Sequence, residues 1–250
     1  MRVLIAGESW ISDSTHYKGF DCFTSVTYET GVGPLRDALE AGGIEVVHMP
    51  AHDVPERFPA TVEAFDAYDV VVLSDIGANS ILLHPDTWAR GKRTPNRLKV
   101  LAEWVRAGGG MMMAGGYLSF QGFEGKAMFR RTPVEEILPA RIEPSDDRVE
   151  APEGAAALVV KPGHPILDGV GDSPAWPTLL GYNRFVPTDD TEVLVTIGAD
   201  PLLAVRAEGA GRTAAWASDI GPHWCPDDFV EWPGYARLFT QLMRWLAKEQ

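Results

Sequence analysis

The sequence predicts an α/β protein: an open, mostly parallel sheet with helices on both faces, and an irregular, β-rich excursion in the second half. Three observations predict it. Short, wholly apolar runs alternate with helical patterns through the first half. A glycine stop, Gly108-Gly109-Gly110, stands directly before the apolar run Met111–Ala114. From about Phe120 to Pro187 the chain turns rich in Pro, Gly and Asp, and its periodicity weakens.

Taken in order, Val3–Ala6 reads as a buried strand. Gly33–Ala41 reads as a helix ending at Gly42-Gly43, and Ile44–Met49 as the next strand. Val54–Phe65 holds a short helical segment broken by proline. Val70–Ser74 is a strand of β-branched residues. Asn96–Ala107 is a helix with Leu98, Leu101, Ala102 and Val105 on one face, followed by the strand Met111–Ala114. Such alternation implies parallel pairing through right-handed crossovers. Inside the excursion, short strands are expected at Ala156–Lys161 and near Gly181–Val186. Glu192–Ile197, Leu202–Ala207 and Arg212–Ala217 follow as strands, the last two joined by a turn at Gly209-Ala210-Gly211. A final helix over about Trp232–Lys248 carries Tyr235, Leu238, Phe239, Leu242, Met243 and Leu246 as its apolar stripe. No repeat or linker divides the chain, so one domain over residues 1–250 is expected.

Composition narrows the functional classes. A net charge of −13 argues against nucleic acid as a partner, because phosphate binding needs a basic surface. No apolar run reaches the roughly 18 residues of a membrane span, and Met1–Gly7 is too short for a secretion signal. A cytoplasmic protein with a small-molecule ligand is expected. Cys22 and Cys225 lie far apart in the sequence and read as free thiols, with a disulfide as the alternative.

Ligands of open parallel sheets bind beyond the carboxyl ends of the strands, so the residues after each strand are the candidates. These are Gly7-Glu8-Ser9-Trp10 with His16, Lys18 and Asp21; Ser74-Asp75-Ile76-Gly77-Ala78-Asn79; Gly115-Gly116-Tyr117-Leu118-Ser119; and Ser218-Asp219-Ile220-Gly221-Pro222-His223-Trp224. Gly115-Gly116-Tyr117 has the form of a catalytic turn with tyrosine where a nucleophile would sit. Ser119 lacks the flanking glycines that a sharp elbow requires. His48 and His52 have the separation of a helical metal pair, but Pro50 between them spoils the helix, and no metal site is assigned there. A site gathered from Glu8, His16, Asp21 and His223 is the alternative. The residues identify no cofactor.

Together with His16–Asp21, Met49-Pro50-Ala51-His52, Gly181-Tyr182-Asn183 and Asp200-Pro201-Leu202-Leu203, these motifs resemble the class I glutamine amidotransferase-like superfamily. The similarity is greatest to a branch that lacks the nucleophilic cysteine. The resemblance spans nearly the whole chain and implies a flavodoxin-like fold. Glutaminases of this class carry a cysteine in the elbow and a His and Glu after a late strand. Tyr117 holds the elbow position here, and Ser218, Asp219 and His223 stand nearest to the late pair. A phenol is a poor acyl-transfer nucleophile. The expectation is therefore a pocket without glutaminase activity that binds or converts a small polar metabolite, a sugar or carboxylate derivative. His223 with Asp219 or Glu8 would be the acid–base pair, and Tyr117 would orient or protonate the substrate. His16, Lys18, Asp21, Asp75, Asn79 and Ser119 would bind it. Hydrolysis by Ser119 or a metal-held water is one alternative, and a noncatalytic subunit or scaffold another. Trp10, Trp224 and Trp232 are either core residues or the interface of a homo-oligomer.

Overall fold

A computed structural model describes residues 1–170 and 176–249. Its strands are β1 Arg2–Gly7, β2 Ser9–Lys18, β3 Asp21–Thr30, β4 Glu45–Met49, β5 Val70–Ser74, β6 Gly110–Ala114, β7 Arg141–Ile142, β8 Arg148–Ala155, β9 Ala157–Val159, β10 Leu179–Asn183, β11 Phe185–Val186, β12 Glu192–Ile197, β13 Asp200–Glu208 and β14 Gly211–Trp216. Its helices are α1 Gly33–Ala41, α2 Val54–Arg57, α3 Ala78–Leu82, α4 Pro85–Arg90, α5 Arg97–Ala107, α6 Pro133–Ile137, α7 Asp227–Val230 and α8 Pro233–Leu246.

The central sheet runs β4-β1-β5-β6-β14-β13-β12-β9. Its first five strands are parallel and the remaining three pairings antiparallel. Numbered among themselves along the chain, the parallel strands lie in the order 2-1-3-4-5, the flavodoxin-like arrangement. Strand order reverses between β1 and β5, and the crevice at such a reversal is where this architecture binds ligands.

Every residue of β5 and β6 is buried, which explains why their sequences are apolar up to Ser74 at the end of β5: a parallel strand covered on both faces has no side to offer water. Helices α1 and α8 pack together, and α5 packs with α3 and α6; the two groups cover the two faces of the sheet. The predicted stripe of α8 is buried throughout, as are Leu98, Leu101, Ala102 and Val105 of α5. The side chain of Asn96 caps α5 by accepting a hydrogen bond from the Lys99 N–H (3.1 Å), and the helix ends at Gly108 with φ 135°. Truncating any one of these buried leucines would cost about 2–5 kcal/mol.

The proline-broken helical segment expected within Val54–Phe65 is α2 followed by a single 3-10 turn at Glu63–Phe65. Two expectations are corrected. The excursion is more regular than its sequence suggests: β8 pairs with β10, and β7 with β11. The larger correction concerns the segment after β1, read as a loop. It forms an antiparallel arm, β2 and β3, paired without irregularity from Ser9↔Thr30 to Lys18↔Asp21. Its Ser, Thr and Asp content resembles a loop, and its apolar residues show no sustained alternation: Trp10 and Ile11 are adjacent, and only Val26 and Tyr28 stand two apart.

Candidate functional site at the strand ends

The site grows out of two backbone irregularities at the β1/β5 reversal. Glu8 (φ 49°) and Asp75 (φ 44°) both take the left-handed conformation immediately after their strands, a strain that non-glycine residues carry mainly where function requires it. The Glu8 N–H donates to the carbonyl of Ser74 (2.8 Å), so the two ends are tied together. Gly7 has no alternative here, because a Cβ on it would lie 2.0 Å from the Ser74 carbonyl oxygen.

The Glu8 side chain turns inward and is buried, accepting a hydrogen bond from Ser74 Oγ (2.5 Å). Burial pushes its carboxyl up to about 8. The Ser74 hydrogen bond opposes the rise, and the nearby Asp75 and Asp219 reinforce it. At neutral pH Glu8 is therefore chiefly a carboxylic acid and a hydrogen-bond donor. Asp75 is also raised, first by burial, while the Leu118 N–H it accepts (2.7 Å) works the other way.

The glycine-rich bend after β6 lies between these acids. Gly116 has φ 136°, and a Cβ there would meet Asp75 Oδ1 and Asp219 Oδ1 at 2.9 Å each. A clamp behind it holds the bend: the Gly116 N–H donates to Asn183 Oδ1, and Asn183 Nδ2 donates to Asp147 Oδ1. Asp147 in turn accepts from the N–H groups of Gln121 and Gly122.

After β14, Asp219 Oδ2 accepts both the Trp224 N–H (3.0 Å) and His223 Nδ1 (2.8 Å). A carboxylate oxygen in that position fixes the tautomer, with Nδ1–H toward Asp219 and Nε2 left for the pocket. The hydrogen bond from His223 to Asp219 raises the imidazole above its ordinary range, against the effect of burial. Tyr117 presents its ring edge-on to His223, 4.6 Å between centroids, and its hydroxyl donates to Glu150 Oε1 (3.2 Å). Trp224 Nε1 donates to the other Glu150 oxygen, and Arg148 lies 5.0 Å over the Tyr117 ring. Burial and Glu150 push the Tyr117 phenol up, so it stays protonated.

These groups enclose a cavity of about 260 Å³ lined by Glu8, Trp10, Asp75, Tyr117, Asp219, Pro222 and His223. A larger hollow of about 440 Å³, bordered by Asp69, Trp104, Gly108 and Lys248, lies at the opposite end of the sheet and gathers no comparable acid–base set.

Glu8, Asp75, Tyr117, Asp219 and His223 thus meet where the strand ends predicted. The other candidates do not join them. His16, Lys18 and Asp21 sit far out on the arm: His16 bonds Ser25 and stacks on Phe23, Lys18 lies over the Phe23 ring, and Asp21 pairs with Lys18 across the strands. The alternative site combining His16 and Asp21 with Glu8 and His223 is therefore not assembled. Asn79 is exposed and its amide reaches only Met128 Sδ. Ser119 is buried behind the bend, where its Oγ accepts the Asp75 N–H; no histidine bonds it among the described residues. His48 holds the Gly7 carbonyl oxygen and His52 packs edge-on against Tyr28. Cys225 is buried in the core, and Cys22 lies exposed on the arm. Trp224 is a core residue, while Trp10 is 41% exposed.

Sequence reasoning missed Glu150, Arg148 and Asp147, which come from the excursion and carry no local signal. Asn183 had one, as part of Gly181-Tyr182-Asn183.

Among curated proteins, none matches this sequence. Two solved structures are similar over almost their whole length. A cytoplasmic protein of Salmonella typhimurium is 43% identical, with 98% of this chain and 99% of that one covered and a TM-score of 0.94. A second, from Salmonella typhimurium LT2, is 41% identical at the same coverage, with a TM-score of 0.93. A β-galactosidase from Bacillus circulans sp. alkalophilus shares the fold alone: 15% identity, 88% of this chain against 26% of that one, TM-score 0.52. The model of the family described as "Putative glutamine amidotransferase" matches residues 2–248, and the chain belongs to that family.

Proposed function

We propose that the strand-end pocket binds, and by acid–base chemistry converts, a small polar molecule rich in hydroxyl or amino groups, and that the protein has no glutaminase activity. One observation carries this reading: the Asp219–His223 pair and the proton-bearing Glu8 face the same 260 Å³ cavity. Perturbed titratable groups gathered in one cleft mark a candidate site, and both of these are shifted toward their protonated forms, Glu8 by burial and His223 by its hydrogen bond to Asp219. Here His223 Nε2 takes or returns a proton, and Glu8 donates a hydrogen bond or a proton from the other wall. Asp75, Asp219 and the aromatic walls of Trp10 and Tyr117 favour a neutral or cationic donor-rich ligand over a carboxylate derivative, which would meet acid oxygens. The cavity has the volume of roughly nine water molecules, which limits the ligand to about the size of a monosaccharide.

Three features speak against acyl transfer. Tyr117 is a neutral phenol. The Leu118 N–H, the backbone donor next to the elbow, is already taken by Asp75. Among the described residues, no base bonds Ser119, whose Oγ accepts the Asp75 N–H. A cytoplasmic location accords with the description of the two Salmonella relatives.

A thermal-shift panel of polyols, amines and carboxylates at pH 7 tests the proposal, since a ligand selective for the folded state raises its melting temperature. A hydroxyl- or amine-rich compound should stabilise the wild type, and His223→Ala should weaken its binding about 10-fold or more, as loss of a charge-assisted hydrogen bond does. Binding confined to carboxylates, or unchanged by both His223→Ala and Glu8→Ala, would sink the reading.

A further inference from the structure

The β2–β3 arm is built in a way the pocket does not explain. Ile11, Tyr17, Phe20, Phe23, Val26 and Tyr28 are between 49% and 110% exposed on it. A two-stranded ribbon alone in water is marginal, and single exposed apolar residues are ordinary whereas a contiguous set marks a contact surface. The cross-strand register divides the arm into two faces. One carries Ile11, Tyr28, Val26, Tyr17 and Cys22, with Asp13 as its only charge; the other carries Trp10 and Phe23 among the polar His16, Lys18, Asp21 and Glu29. Both outer edges are unpaired among the described residues, and neither has a bulge or a proline to guard it.

We infer that this apolar face is an interface with a second copy of the same chain, each arm lying across the partner's strand-end surface. Area supports a second copy, and charge permits one. With a net charge of −13, copies repel one another except where charge is sparse, and this face is such a place. At about 3.3 Å per residue the arm is roughly 33 Å long and about 10 Å wide, so two exchanged arms with the surfaces beneath them bury roughly 1,300 Å², the size of a stable interface. The receiving surface offers apolar side chains too: Leu118 (38% exposed) and Met128 (52%) stand on the loops around the bend after β6, beside the exposed Glu124–Lys126 ion pair. Reciprocal exchange satisfies two-fold symmetry, in which the same patches are used twice.

The test is the mass of the full-length protein in solution, by sedimentation or light scattering at about 20 μM. Wild type should run at twice the chain mass of 27.3 kDa. Combining Tyr17→Lys with Val26→Lys, both at exposed positions, should give the single-chain mass with an unchanged far-ultraviolet circular dichroism spectrum. Met128→Lys should do the same, and Ser14→Lys on the opposite face should remain dimeric. A wild type at single-chain mass, a dimer that survives either the arm or the Met128 change, or a Ser14 variant that dissociates would overturn the inference.

Discussion

The pocket and the arm depart from ordinary protein anatomy in opposite directions. The pocket takes acids and a histidine out of water, whereas the arm leaves large apolar side chains in it. A buried polar cluster or an exposed apolar patch is the informative exception to the rule that apolar residues lie inside. The two also differ in support. Glu8 and Asp75 are held in strained conformations by the buried strands β1 and β5, which over-determine them, whereas beyond its base, where Ser9 and Tyr28 meet Ala51 and His52, the arm has only its own ladder. A rigid body can sustain the cost of a preorganised site. An unsupported ribbon has to obtain its order from outside the chain.

The largest expected effect strikes the pocket side of this contrast. Glu8 has a folded pKa of about 8, well above that of an exposed glutamate. The folded state therefore holds a proton that the unfolded state has released between about pH 4.5 and 8. Stability falls as pH rises through that window and levels off above it. Glu8→Gln, which mimics the neutral acid, should remove this slope. Urea unfolding at pH 8 should find the variant more stable than wild type by up to about 5 kcal/mol, and at pH 4.5 should find the two alike. A slope of equal steepness in the variant would show that Glu8 is ionised in the fold.

Next in size is Gly116→Ala. A methyl group there meets two carboxylate oxygens at 2.9 Å in a conformation unfavourable to alanine. The variant should lose about 2–4 kcal/mol in the same assay, and ligand binding with it. Tolerance of the change would mean that the bend can move away from Asp75 and Asp219. Smallest is Asn79→Ala, which removes only a weak contact to Met128 sulfur. It should alter stability by less than about 0.5 kcal/mol and ligand affinity not at all. A larger change would extend the pocket beyond its present wall.

The parallel half of the sheet could be read from the sequence because burial on both faces leaves an unmistakable apolar run, as in Val70–Ser74. Knowing where those strands end was enough to place Glu8, Asp75, Tyr117, Asp219 and His223 together. The arm escaped for the converse reason. With neither face covered, Ser12, Ser14, Thr15, Thr24 and Ser25 are free to occupy strand positions, and they resemble a polar loop. His16, Lys18 and Asp21 were drawn toward the site with it. Glu150 and Arg148 were invisible because a side chain delivered by a distant segment leaves no spacing to measure.

The hydrogen bond from the Leu118 N–H to Asp75 has a consequence for engineering. Introducing the missing nucleophile by Tyr117→Cys would leave the developing negative charge of a tetrahedral intermediate facing a carboxylate in place of a free amide. Recovery of a glutaminase from this scaffold requires at least two simultaneous changes, at Tyr117 and at Asp75, and neither is useful before the other.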